Sequence, residues 1–162
     1  MLIDRLPQVE KSLTRFRKQL DGKENALTSA RPEDWATLEL QIDDLKAKMR
    51  PFEIEYWQIL VERSARFEIA DSEAEKVIVE IVERVEPLQY NPQYSPEILD
   101  WLPKIYAEVS KPGTPATAKL KGMLSLLPPF VNLSYEAEID TENFLLTHFP
   151  TFRAWARVLA KK

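Results

Sequence analysis

Apolar residues recur at alternating steps of three and four along two segments in the first part of the chain. The first segment carries Leu6, Val9, Leu13, Phe16 and Leu20 at this spacing, and the second carries Trp35, Leu38, Ile42, Leu45, Met49, Phe52, Tyr56 and Ile59. Such spacing places the apolar side chains on one helical face and is typical of helices that pack lengthwise against each other. Residues 21–31 between the segments contain turn-forming residues and predict a break. The pattern therefore predicts an antiparallel helical hairpin over residues 1–50.

Further helices are predicted after this hairpin. Pro51 is expected to kink or end the second helix near Arg50, with a bend or a new helix continuing from residue 52 to about residue 70. Ser72 and Glu75 have the spacing of a capping box at the start of a helix that ends at Pro87. The Ser95–Pro96 pair predicts the start of another helix, and residues 115–123 predict a short one.

The periodicity changes near the C-terminus. Apolar and polar residues alternate strictly over residues 131–139, which predicts a strand with one buried face. Residues 124–127 are its expected partner, with Pro128 and Pro129 at the turn. Asp140 or Thr141 is expected to cap a last helix, which Pro150 could split. The predicted fold is therefore mainly α: a helical hairpin over residues 1–50, then a compact helical domain over residues 51–162 with one small β-hairpin near residues 124–139.

Composition and charge narrow the classes of function. The 162 residues are 44% hydrophobic and include no cysteine, which excludes disulfides and thiolate zinc sites and is compatible with a cytoplasmic protein. No window of the sequence reaches the length of a transmembrane helix, and the first residues do not resemble a secretory signal. Net charge is +1 over residues 1–50, −8 over 51–110 and +3 over 111–162. The acidic middle argues against a nucleic-acid partner.

The candidate chemistry is sparse. His148 is the only histidine, no nucleophile motif precedes it, and we interpret it as a packing or half-exposed residue. The three glycines cannot form a phosphate-binding loop. Among the acidic neighbours, Asp43 and Asp44 are expected on the solvated face beside the apolar seam. We therefore expect a non-enzymatic protein with no catalytic residue, cofactor or metal. An enzyme whose site the fold assembles from carboxylates alone is the third alternative.

Two apolar regions are candidates for contact with a partner. One is the predicted turn around Pro128 and Pro129, whose apolar residues either fold back onto the core or face a partner or a membrane. The other is the seam of the helical hairpin. The predicted contact residues are Leu126, Leu127, Pro128, Pro129, Phe130, Leu38, Ile42, Leu45 and Met49.

Four short segments carry a resemblance to a known group of proteins. They are GTPATAKLK at residues 113–121, LPP at 127–129, YEAEIDTE at 135–142 and FPTF at 149–152. These segments resemble effector-associated adaptor segments of bacterial, especially cyanobacterial, signalling and conflict proteins that carry STAND-type NTPase, caspase-like or TIR modules. The resemblance implies a homotypic or adaptor interaction module. The chain contains no NTPase, protease or TIR signature of its own.

The sequence thus favours a protein–protein interaction module in a bacterial signalling or defence system. Its expected partner is an effector protein or a second copy of the chain, which would make a homo-oligomer. The alternative is a membrane-active element that uses the predicted β-hairpin at residues 124–139. Glu136 and Glu138 on its polar face would be repelled by anionic lipids and argue against membrane contact.

Overall fold

A computed structural model describes residues 4–162, and the regular structure in this part of the chain is entirely α-helical. The helices are α1 (Leu6–Ser29), α2 (Pro32–Arg66), α3 (Asp71–Leu88), α4 (Pro96–Val109), α5 (Ala116–Ser125), α6 (Leu127–Glu136), α7 (Thr141–His148) and α8 (Pro150–Lys161). The prediction of a mainly α fold is confirmed. The chain divides into two compact units, one ending at Tyr56 and one beginning at Trp57, so the division falls inside α2.

The first unit is a helical hairpin made by α1 and the first part of α2. Two residue pairs show that the helices run antiparallel. One lies at the open end of the hairpin, opposite the α1–α2 loop, and the other lies farther toward that loop. Arg5 donates two hydrogen bonds of 3.1 Å to the Glu55 carboxylate. The Phe16 and Phe52 rings lie 5.6 Å apart. The seam is apolar, and its buried residues are Leu6, Val9, Leu13, Ile42, Leu45, Met49 and Tyr56.

Two expectations for this unit, a loop over residues 21–31 and a break with a new helix after Pro51, are wrong. Helix α1 continues through the predicted loop to Ser29, so only Ala30 and Arg31 connect it to α2. A single interior glycine such as Gly22 costs about 1 kcal/mol relative to alanine, which is too little by itself to end a helix of 24 residues. Pro51 lies inside α2, and no new helix begins after it. Because the apolar seam continues on both sides of Pro51, packing outweighs the lost backbone hydrogen bond.

The second unit is a helical bundle centred on α3. Helix α3 packs against α4, α5 and α8. Helix α6 contacts both α4 and α7, and α7 packs on α8. The helix predicted from Ser95–Pro96 is confirmed, with Ser95 at the N-cap of α4. The capping box predicted at Ser72 is wrong, because α3 begins at Asp71 and Ala70 occupies the N-cap without a side-chain hydrogen bond.

The predicted β-hairpin near residues 124–139 is also wrong, since this segment forms the end of α5 and all of α6. The buried positions of α6 are Leu127, Phe130, Val131 and Ser134, which is helical spacing. Pro128 and Pro129 occupy the first turn, where a missing N–H leaves no helical hydrogen bond unmade. The alternation of apolar and polar residues over 131–139 therefore does not reflect the buried face.

Helix α6 ends in a left-handed turn. Glu138 has a φ of 58°, and the Ile139 N–H donates a 2.8 Å hydrogen bond to the Ser134 carbonyl. This six-to-one hydrogen bond around a residue with positive φ is the Schellman arrangement that commonly ends a helix. The turn directs the chain into α7, whose first turn is capped by the Asp140 side chain accepting from the Asn143 N–H at 3.2 Å.

Helix α8 is held at both ends by side chains from other helices. Glu80 of α3 accepts hydrogen bonds from the Thr151 N–H at 2.8 Å and from the Thr151 hydroxyl at 2.5 Å. Arg63 of α2 donates to the Ala160 carbonyl at 3.0 Å. A carboxylate at the N-terminus and a guanidinium at the C-terminus both complement the helix dipole. Pro150 separates α7 from α8, as predicted.

Replacing Glu138 with glycine should stabilise the protein by about 0.5–1 kcal/mol, because glycine adopts positive φ without the steric cost that other residues carry. The measurement is the free energy of unfolding by urea. Glu136→Gly, at the last residue of α6, is the matched control and should destabilise by about 0.5–1 kcal/mol. Loss of stability in Glu138→Gly equal to that in the control would contradict the helical assignment of residues 127–136.

Candidate functional site

The acidic residues and the histidine of residues 4–162 do not form a metal site. Within residues 4–162, no group of three or more histidine, aspartate or glutamate residues is placed to hold a metal ion. Asp43 and Asp44 are exposed, as expected for solvated charges. Glu53, in contrast, is 4% exposed and lies 3.9 Å from Arg17 across the helical hairpin.

No helix in this part of the chain is both long and apolar enough to cross a membrane.

His148 lies half-buried at the end of α7, in a cluster of aromatic rings. Its Nε2 lies 2.6 Å from the Tyr94 hydroxyl, and its ring meets the Phe144 ring edge-on at 4.7 Å. Burial lowers the pKa of His148, and the positive charge of Arg84 lowers this pKa further. Burial also raises the pKa of Tyr94. Both shifts favour the neutral forms of the pair, which suits a packing contact.

A buried charge that the sequence did not single out is Arg153 of α8. This side chain is 7% exposed, and its Nε donates a 2.7 Å hydrogen bond to Glu142 of α7. Its guanidinium also lies 5.1 Å from the centre of the Trp57 ring. Arginine suits such a position because its planar group pairs with a carboxylate and stacks on an aromatic face at once. The contacts join α7, α8 and the end of α2 within the second unit.

The structure places the predicted contact residues of the 126–130 segment mainly in the core. Leu127 and Phe130 are fully buried, Leu126 and Pro128 are half-buried, and only Pro129 is exposed. The Phe130 ring stacks on Trp101 at 3.9 Å and lies 5.2 Å from Phe144. Of the two alternatives for this segment, the structure therefore favours the core over an exposed contact surface.

The predicted contact residues of the seam divide into two sets. Ile42, Leu45 and Met49 are buried within the first unit, whereas Leu38 is only half-buried. Leu38 and Leu45 line a groove of about 510 Å³ between α1 and α2. This hairpin groove is lined by Gln19, Gly22, Lys23, Ala26, Leu38, Gln41, Asp44, Leu45 and Lys48.

Two small residues occupy successive turns of α1 in the wall of the hairpin groove. A Cβ atom added at Gly22 would meet no atom within 4 Å, so the space beside it is open. Ala26, one turn later, adds only a methyl group. The longer side chains of Leu38 and Leu45 on α2 face this unfilled space. A pair of small residues at a spacing of four, opposite leucines, is the sequence signal by which this groove could have been found.

Comparison with known proteins identifies no relative of this chain. No family model, no curated protein and no solved structure matches the chain.

Acidification should destabilise the protein through His148, the only histidine. Because its pKa is lowered in the folded state, the unfolded chain binds the proton first as pH falls below the ordinary value of about 6.5. Stability contributed by neutral His148 is therefore complete above that pH and is lost as pH falls through the lowered pKa. The free energy of unfolding by urea, measured at about pH 7.5 and pH 5.5, should drop less in His148→Gln than in the wild type. An equal drop in both proteins would exclude His148 as the cause.

Proposed function

We propose that the protein is a non-enzymatic interaction module that binds a protein partner through the hairpin groove. The observation that carries this proposal is the open groove itself, with leucine side chains on one wall and Gly22 and Ala26 on the other. Clefts with apolar walls on a protein surface are typical of binding sites. The same proposal places the protein in the cytoplasm. It also makes the protein an adaptor in a bacterial signalling or defence system, and this second part rests on the sequence resemblance alone.

A helix is the partner element that best fits this groove. Its walls are two antiparallel helices, and a third helix laid along them would bury the leucines as in a helical bundle. Gly22 and Ala26 allow the backbone of such a helix to approach closely at these two positions, because neither residue carries more than a methyl side chain. Burial of each large apolar side chain contributes about 1.5–3 kcal/mol, so affinity would come mainly from Leu38 and from apolar residues of the partner.

The rim of the hairpin groove supplies polar groups that could select the partner. Lys23 lies on the α1 side, and Gln41, Asp44 and Lys48 lie on the α2 side. Apolar residues at the centre with polar residues around them are the usual organisation of a protein–protein interface. Charges of both signs on one rim favour a partner with a matching charge order.

The membrane-active alternative depended on a β-hairpin at residues 124–139. This segment is helical, and Leu127 and Phe130 are buried in the second unit. We therefore propose no second function.

The test compares two leucines on the same helix. Leu38 lines the groove, whereas Leu40 is 66% exposed and lies outside it. Leu38→Asp should reduce partner binding at least about tenfold, because a charge would be buried on the apolar wall. Leu40→Asp makes the same chemical change and should leave binding unaltered. The measurement is quantitative affinity capture from an extract of the native host, with the wild type and both variants as baits.

A variant that preserves the helix guards against an effect of unfolding. Gly22→Gln places a long side chain in the groove and should improve helix stability, since glycine is the poorer helix former by up to about 1 kcal/mol. It should weaken capture while circular dichroism shows undiminished helix content. If both groove variants capture the same proteins as the wild type, the groove is not the binding surface.

A further inference from the structure

The charges of the first unit are separated along its length. The loop half of the helical hairpin, residues 19–44, carries seven acidic and two basic residues, a net charge of −5. The open half, residues 4–18 together with 45–56, carries eight basic and four acidic residues, a net charge of +4. Helix pairing within the hairpin leaves this separation uncompensated, because each half of α1 lies beside the half of α2 at its own end.

The charged residues concerned are accessible to a partner. In the loop half, the acidic side chains are all exposed; they are Asp21, Glu24, Glu33, Asp34, Glu39, Asp43 and Asp44. In the open half, Arg5, Lys11, Arg15, Lys18 and Lys48 are exposed. A partner hairpin with the same charge separation would be attracted if its direction were reversed, and repelled if it ran the same way.

On its α2 side the hairpin groove carries the same order of charge, whereas Lys23 on the α1 side is a basic residue within the acidic half. Asp44 and Lys48 lie one turn apart on its α2 rim, at the point where the acidic half meets the basic half. If a twofold axis passes between Asp44 and Lys48, then Asp44 of one copy lies opposite Lys48 of the other copy. Lys48 of the first copy then lies opposite Asp44 of the second. One surface then complements itself, which is the requirement for a closed dimer with twofold symmetry.

Building on the proposed function, we propose that the partner in the hairpin groove is a second copy of this chain, bound in the antiparallel direction. The two helical hairpins form a four-helix bundle in which each acidic loop half lies against the basic open half of the other copy. The apolar groove walls, including Leu38, lie against the open half of the other copy and supply the affinity. The charges set the direction, since exposed ion pairs contribute little to stability but disfavour a mismatched arrangement.

Charge reversal and exchange test this arrangement. Asp44→Lys places two lysines on each rim, and Lys48→Asp places two aspartates there. Each variant alone should dimerise at least about tenfold more weakly than the wild type, because like charges then face each other across the twofold axis. An equimolar mixture of the two should form a heterodimer of wild-type affinity. The double variant Asp44→Lys/Lys48→Asp should dimerise as the wild type does, because the exchange restores opposite charges across the axis.

The measurement is sedimentation equilibrium of the full chain over a wide concentration range, read against the monomer mass of 18.8 kDa. Asp43→Lys is the matched control, because Asp43 is exposed beside Asp44 but does not line the groove. It makes the same change in net charge and should weaken the dimer much less than Asp44→Lys. Circular dichroism of every variant checks that the helices remain intact.

The outcomes separate this inference from the proposed function. A wild-type chain that stays monomeric at all concentrations overturns the homodimer. Single reversals that dimerise like the wild type, or a double variant that does not dimerise, overturn the antiparallel pairing. If the chain is monomeric but Leu38→Asp still abolishes capture of a host protein that Leu40→Asp retains, the groove binds a different protein. If neither dimerisation nor groove-dependent capture is found, the proposed function fails as well.

Discussion

The lengthwise packing of α1 on α2 is the contact on which the account of this protein depends. Leucine and other large side chains at alternating steps of three and four bury each other along the helical hairpin. Helices in isolation gain little stability from their own hydrogen bonds, so this burial is what keeps α1 ordered. The same contact fixes the two walls of the hairpin groove. A change that loosened the seam would therefore remove the candidate binding surface along with the hairpin.

Packing in the hairpin is uneven along its length. Leu6, Val9 and Leu13 near the open end are at most 3% exposed, whereas Leu20 and Leu27 toward the loop are only half-buried. Trp35 is 48% exposed, although its indole N–H is satisfied by the Ala30 carbonyl at 3.1 Å. Apolar surface thus remains available in the loop half, which is also the acidic half. A partner that covers it must tolerate that negative charge.

The second unit achieves order by different means. Its core is aromatic, with Trp101 stacked on Phe130 and Trp57 on Phe152. Its charged side chains hold helix α8 in place. Glu80 and Arg63 hold the ends of α8, and Arg153 joins α8 to Glu142. Arg153 is the buried charge of this set, and its pairing with Glu142 is expected because an unpaired buried charge is costly. We therefore interpret them as structural.

Sequence reasoning recovered most of the helices because their apolar periodicity extends over many turns. It located α7 and α8 from Asp140 and Pro150, whose backbone effects are local. It failed at residues 131–139, where the alternation over nine residues outweighed the helical spacing of Leu127, Phe130, Val131 and Ser134. It also overrated Pro51 as a breaker, because a proline's local cost does not reveal the packing that opposes it.

The candidate site was less accessible to sequence reasoning than the fold. Leu38 was identified from its place in the seam, but the groove depends on Gly22 and Ala26 facing it from α1. That relation requires α1 to continue past residue 21, where the composition predicted a loop. The separation of charge was hidden for the same reason, since the net charge of +1 over residues 1–50 conceals two opposite halves.

Hydrogen exchange of the wild-type chain at low and high protein concentration tests the central claim most directly, namely that the hairpin groove is a surface covered by association. The account predicts that backbone amides in residues 19–26 and 38–48 exchange more slowly at high concentration, while amides in α3–α8 are unchanged. Exchange that does not depend on concentration, or added protection confined to the second unit, would contradict it.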